Sequence, residues 1–283
     1  MRRALIVLLL ATAVSAQDRP LPEFTAFAER VKAGLQTDEE RQAGYTFVER
    51  RTEQRLDGNG RVTSESVKVY EVSPGLPGED RYRRLIEEDG KPVAAAKLAQ
   101  QDRDRRKKAE AYARDMADRA KYQKAVREYD TARRKYSAAV EEIFRIYDIR
   151  MVRRESIDGH DTILATLTPN GTAPQTDDGK VMRHFKARAW INEADAELVR
   201  VEIEAIDTLS FGLGLLARVD KGTTATYQRR RVNDEAWLPA QVTWNGAARV
   251  LLLKRLRVRG LADFSNYRKF TVGTSTVIGR PSS

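Results

Sequence analysis

The chain has 283 residues, with 51 Lys and Arg against 41 Asp and Glu, two His and no Cys. The missing cysteine excludes a disulfide framework, a Cys-ligated zinc, a thiol nucleophile and an iron–sulfur centre, and His160 and His184 alone are too few for most metal-hydrolase and triad chemistries. A formal charge of +10 with 41% hydrophobic residues describes a basic protein that still has enough apolar side chains for a core.

Met1 to Ala16 reads MRRALIVLLLATAVSA. Arg2 and Arg3 precede a short apolar run, and Val14-Ser15-Ala16 supplies small or tolerated residues before a cleavage point. This is the pattern of a secretory leader, too short for a membrane span. Cleavage after Ala16 predicts a periplasmic or secreted protein beginning at Gln17, with no lipid-attachment cysteine and no transmembrane segment after cleavage. Export argues against a nucleic-acid partner.

In residues 20–36, Phe24, Phe27, Ala28, Val31 and Leu35 fall on one helical face, entered through Pro20 and Pro22 and ended near Gly34. From Gly44 to Glu88 the pattern changes to three strand-like runs. Asp57-Gly58-Asn59-Gly60 separates the first two, and residues 74–78 (PGLPG) separate the second and third.

No Gly or Pro occurs from Val93 through Asp158. Tyr122, Tyr129, Tyr136 and Ile143 repeat at seven, with Ala125, Ala132, Ala139 and Ile146 three residues behind. Large and small residues alternating in heptads predict a helix packed closely on another. Extending that register backward puts Asp115 and Asp118 in the seam, so the stretch reads as two antiparallel helices turning near 117–122.

Strands then return at 147–156, 161–168, 181–191, 196–206, 222–232, 236–244, 248–259 and 265–272, punctuated by Asp158-Gly159, Asn170-Gly171, Asp178-Gly179 and Asn245-Gly246. Val199, Val201, Ile203 and Ala205 alternate with Arg200, Glu202 and Glu204, the mark of a sheet with one face covered and one wet. The predicted fold is α+β: a curved antiparallel sheet forming an incomplete β-barrel, a covering N-terminal helix, and an inserted long helical hairpin. Its parts are a leader at 1–16, the first β half at 17–92, the charged insert at 93–148 and the second β half at 149–283.

The charge is concentrated. Residues 91–148 hold 16 Lys and Arg against 10 Asp and Glu, which leaves the rest of the exported chain nearly neutral. Interleaved charge of this kind is the usual surface of a solvated helix, and it can also meet an acidic partner or anionic headgroups. Tyr122, Tyr129 and Tyr136, with Arg105, Arg106, Lys107 and Lys108, are the candidate partner-binding residues.

No catalytic, metal or cofactor signature is present. Asp158-Gly159-His160-Asp161 reads as a tight turn, and His184 lies in a strand without a neighbouring carboxylate pattern. There is no phosphate-binding Gly-rich loop, no nucleophile elbow and no H-E-x-x-H. Residues 209–217 (LSFGLGLLA) match neither period. Phe211, Leu213, Leu215 and Leu216 there form a candidate hydrophobic lip, and Trp190, Trp237 and Trp244 are candidate walls of an apolar pocket.

Residues 189–192 (AWIN) followed by 197–202 (ELVRVE), then Trp237-Leu238-Pro239 after Tyr227, and a closing segment at 264–270 (FSNYRKF), resemble the periplasmic lipoprotein-carrier (LolA-like) superfamily. Asn192 stands where Asp is commoner in that pattern. The resemblance covers roughly residues 180–271. It implies an incomplete antiparallel barrel closed by helices, with a concavity for acyl chains or other apolar groups, and a lipid or lipidated protein as partner. The insert at 93–148 is foreign to those carriers. Two functions follow: a non-enzymatic carrier of an apolar ligand, and an envelope scaffold that binds a protein or anionic headgroups through its insert.

Overall fold

The computed structural model describes residues 19–76, 80–211, 217–250 and 254–270. The leader lies outside these residues, as do Leu213, Leu215 and Leu216.

Helix α1 spans Phe24–Ala43. It follows the two prolines, and the Glu23 carboxylate accepts from the amides of Thr25 and Ala26, a side-chain N-cap. It does not stop at Gly34, as the sequence suggested, but runs on to Gly44. Gly34 serves instead as a close-approach position: a Cβ there would lie 3.3 Å from the Glu197 carboxylate. Strands β1 (Tyr45–Leu56) and β2 (Val62–Ser73) form the hairpin foreseen at Asp57–Gly60. Asp57 accepts from the amides of Asn59 and Arg61, and Gly60 takes φ +81°. β3 (Tyr82–Glu88) and the two-residue β4 (Lys91–Pro92) complete the first half.

Helices α2 (Ala95–Ala117) and α3 (Arg119–Ile146) meet at Asp118, inside the stretch where the heptad register fails. Asp118 adopts an extended conformation, and its carboxylate accepts from the Lys121 amide to cap α3. The last turns of α3 bury Val140, Glu142 and Ile146, so they belong to the body.

The second half contains β5 (Tyr147–Ile157), β6 (His160–Pro169), the short α4 (Asp177–Met182), β7 (Phe185–Asn192), β8 (Leu198–Ala205), β9 (Leu209–Phe211), β10 (Ala217–Val219), β11 (Thr224–Val232), β12 (Ala236–Val250) and β13 (Lys254–Lys269). The strand predicted from 181 starts later because α4 occupies its first residues. Eleven strands lie in one curved antiparallel sheet in the order β4-β3-β2-β1-β13-β12-β11-β8-β7-β6-β5. Its two ends do not pair, so the barrel stays open. The helical insert joins these two ends, leaving β4 through α2 and returning through α3 into β5.

Two expected breaks are absent. Strand β12 runs straight through Asn245-Gly246, and β13 through Gly260. The glycines act as seats rather than turns. Trp244 pairs with Gly260 across the strands, and a Cβ at Gly260 would overlap the Trp244 ring. Gly260→Val is expected to cost about 1–3 kcal/mol by overpacking and to shift tryptophan emission. Urea unfolding followed by fluorescence checks this, and an unchanged midpoint would contradict the close approach.

Candidate ligand site

The registers fix which residues share a side of the sheet. Ile149 and Met151, Ile163, Ala165 and Leu167, Ala187, Ala189 and Ile191, and Val201 point to one side. There α1 lays Phe27 and Val31 on a cluster of Ile163, Ala165, Ala189, Ile191 and Ala196, with Leu21, Leu198 and Val201 around it. The first half of α1 is therefore held by apolar burial, the dominant favourable term in packing.

The second half of α1 sits differently. Asp38 and Arg41 face Arg229 of β11 and Glu197 beside β8. Arg229, 1% exposed, pairs with Asp38 and donates to the Trp237 carbonyl, with Glu197 3.8 Å away. Its Nε and Nη1 atoms have no hydrogen-bond partner among the described residues. Arg41 pairs with Glu197 and donates to the Gly34 carbonyl at 2.9 Å. Two opposite pairs thus form a neutral quartet between helix and sheet. Beneath it burial raises the Tyr227 hydroxyl to about 12. Burial also raises Tyr45 and Tyr267.

Further along this side, β1 and β13 carry an aromatic group, with Phe47 5.6 Å from Phe264 and 5.3 Å from Tyr267 between ring centres. Next to it Glu49, 0% exposed, lies between Arg51 at 2.8 Å and Arg83 at 3.0 Å. At the opposite end of the sheet, a groove of about 400 Å³ opens between α1, α3 and β5, lined by Phe24, Phe144 and Ile149 among others.

The structure does not bring the three tryptophans together. Trp190 points away from α1, clamped between the guanidinium groups of Arg188 and Arg200 at 5.4 and 5.2 Å, and its Nε1 donates to Glu155 at 2.5 Å. Trp244 lies on the α1 side, over Gly260 and 5.8 Å from Arg51. Trp237 closes one end of the sheet, donating to Asp195 at 2.9 Å and meeting His160 edge-on at 4.9 Å. A single tryptophan-lined pocket is therefore replaced by three separate seats. The backbone of Phe211 ends β9 opposite Ala217, and β10 pairs with β12 near its end at Val250.

In the insert, Tyr136 donates to the Leu35 carbonyl at 2.8 Å and so ties α3 to α1. Tyr122 and Tyr129 are 37% and 45% exposed. Arg105 packs on the Tyr82 ring at 4.9 Å and donates to the Pro74 carbonyl, so it anchors α2 to the body, whereas Arg106, Lys107 and Lys108 are exposed. The partner-binding set is thus divided between anchoring and exposed residues.

Three features escaped the sequence. His184 does have a carboxylate, with Nδ1 2.6 Å from Asp207, but that partner lies 23 residues on and no short motif announces it. The quartet was equally hidden, because its members come from one helix, one strand and the turn before another strand. The third is a buried staple at Glu142, which accepts from Arg145 at 2.7 Å and from the Gln175 amide at 2.6 Å. Hydrogen bonding from Arg145 and from the Gln175 and Thr176 amides lowers its pKa against the opposing effect of burial. No group of three or more metal-ligating side chains occurs among the described residues. No described helix is long and apolar enough to cross a membrane.

No family model and no curated protein sequence matches the chain. Among solved structures, it is similar to a LolA superfamily protein from Nitrosomonas europaea, at 11% identity and a TM-score of 0.36 over 89% of this chain and 97% of that one. It is also similar to an outer membrane lipoprotein-sorting protein domain from Vibrio parahaemolyticus, at 11% identity and a TM-score of 0.34 over 89% and 93%. A DUF1329 family protein from Desulfovibrio piger matches at 12% identity and a TM-score of 0.31 over 89% and 94%. These likenesses assign no residue a role.

Proposed function

We propose that this is an exported, non-enzymatic binding protein that holds a lipid, a lipidated protein or another apolar ligand against the α1 side of its open sheet. The quartet of Asp38, Arg41, Glu197 and Arg229 carries this reading. A helix that is only a wall is best held by apolar packing. Here half of α1 rests on ion pairs, whose loss of hydration offsets much of their attraction, so that half can lift more cheaply than an apolar contact of equal area. Beneath the other half lies the apolar surface an acyl chain would use. Phe211, Leu213, Leu215 and Leu216 are, from the sequence, the candidate apolar lip for such a ligand.

The test is native mass spectrometry, with lipid extraction, of protein purified from the envelope, repeated on Phe211→Asp and Leu213→Asp. A charge placed against an apolar ligand costs more than the roughly 2–7 kcal/mol of burying an unpaired neutral polar group. The parent protein is expected to carry about one acyl lipid, and the variants less than a tenth of that. Parent protein that never yields an acyl ligand overturns the reading.

A further inference from the structure

Residues 103–135 hold thirteen Lys and Arg against six Asp and Glu, which is most of the excess positive charge of the chain. Their placement on the two helices is not even. On α2, the partly covered positions Leu98, Gln101, Arg105, Ala109, Tyr112 and Met116 recur every three to four residues and mark the inward stripe. The opposite stripe carries Arg103, Arg106, Lys107 and Arg114, with Glu110 as its one acid. On α3, Lys124, Arg127, Arg134 and Lys135 likewise share a stripe with Thr131, and all are exposed. Glu128 at its margin lies 3.8 Å from Lys124.

Charge on a solvated helix is ordinarily balanced by partners three or four residues away. Arg106, Lys107, Arg114, Arg119 and Arg127 make no ion pair among the described residues. The large hydrophobic side chains exposed on the insert are Tyr122 and Tyr129. A protein interface needs a desolvated apolar centre, and the exposed surface of the insert offers none. A headgroup layer asks for something else: spread cations on one exposed face.

We infer that the α2–α3 insert docks on a bilayer surface rich in anionic phospholipid headgroups through the outward stripe of α2, with Arg103, Arg106, Lys107 and Arg114. The contact is electrostatic and reversible, without insertion, because the insert exposes no aliphatic stripe. This goes beyond the ligand reading and does not depend on it. It places a binding protein at the surface where an apolar ligand can be collected or released.

The test is co-sedimentation of the full exported chain with vesicles of phosphatidylcholine alone, or with about a third phosphatidylglycerol, at low and at physiological salt. Two variants are compared: Arg106→Gln/Lys107→Gln/Arg114→Gln and Lys124→Gln/Arg127→Gln/Lys135→Gln. All six positions are exposed, so circular dichroism should remain that of the parent. Binding is expected only with the anionic vesicles, to weaken at least tenfold on going to physiological salt, and to fall at least tenfold in the α2 variant while the α3 variant, whose charges lie on another face, keeps it. Equal binding to neutral vesicles overturns the proposal. So does undiminished binding by the α2 variant, an equal loss in the α3 variant, or an acidic protein that binds the insert while anionic vesicles do not. Retention of the acyl ligand is measured in the same variants. Loss of docking with ligand retained separates this surface from the ligand site, and an empty parent that still docks removes the ligand reading alone.

Discussion

Arg229→Met is expected to lower stability by about 3–5 kcal/mol, the usual cost of removing one member of a buried ionic pair. For a chain of this size that is a fall in Tm of roughly 6–20 °C by calorimetry. The residue is 1% exposed and its removal leaves Asp38, itself largely covered, with the Gln42 side-chain amide at 2.7 Å and, as its one nearby cation among the described residues, Arg41 3.8 Å away. The second half of α1 should then exchange its amide hydrogens faster than the first, which keeps the Phe27 contacts. Pairing the change with Asp38→Leu should recover part of the loss, since removing both charges leaves less buried charge unpaired. A single variant that loses less than about 1 kcal/mol would mean the quartet contributes no more than a surface pair.

Alkaline pH should unfold the protein cooperatively rather than titrate its tyrosines one by one. Burial raises Tyr147 and Tyr227 to about 12, from an ordinary value of 10.0. The Tyr147 hydroxyl donates to the carbonyls of Met182 at 2.5 Å and Phe185 at 3.0 Å, a geometry only the neutral form can keep. Between pH 10 and 12 the folded state therefore binds more protons than the unfolded one. The stability linked to these groups is complete below about pH 10 and drains away as pH rises toward 12. Each shift corresponds to roughly 2–3 kcal/mol. Absorbance of ionised tyrosine at 295 nm should rise together with the loss of circular dichroism, and Tyr147→Phe or Tyr227→Phe should flatten the pH slope. Full ionisation near pH 10 with the fold intact would refute this.

The sequence was most informative where the cause is local. The Asp57–Gly60 hairpin, the break at Asp118 and the alternation of β8 follow from turn chemistry, a failed heptad and a period of two. It misled where a residue type has two uses. Gly34, Gly246 and Gly260 read as punctuation, yet each admits a neighbouring side chain inside a continuous helix or strand. The site was hardest to foresee. Tryptophans at positions 190, 237 and 244 cluster in sequence, but strand parity sends Trp190 and Trp244 to opposite sides of the sheet. Arg229 sits in a run of three arginines whose neighbours are exposed, and only α1, some 190 positions earlier, makes it an interior residue. Contacts between distant segments leave no periodic trace.

The strand order has a consequence for how the polypeptide is made. The last strand, β13, lies in the middle of the sheet, between β1 and β12. Until Lys254–Lys269 has been synthesised, β1 to β4 have no edge of the second half to join. The amino-terminal third must then wait as a solitary meander, closing a loop of some two hundred residues in a single late step. The two halves of the sheet therefore join only when nearly the whole polypeptide has been made. A ribosome that stops a few dozen codons early would deliver two half-sheets, each with a long bare margin, to the chaperones and proteases that meet it.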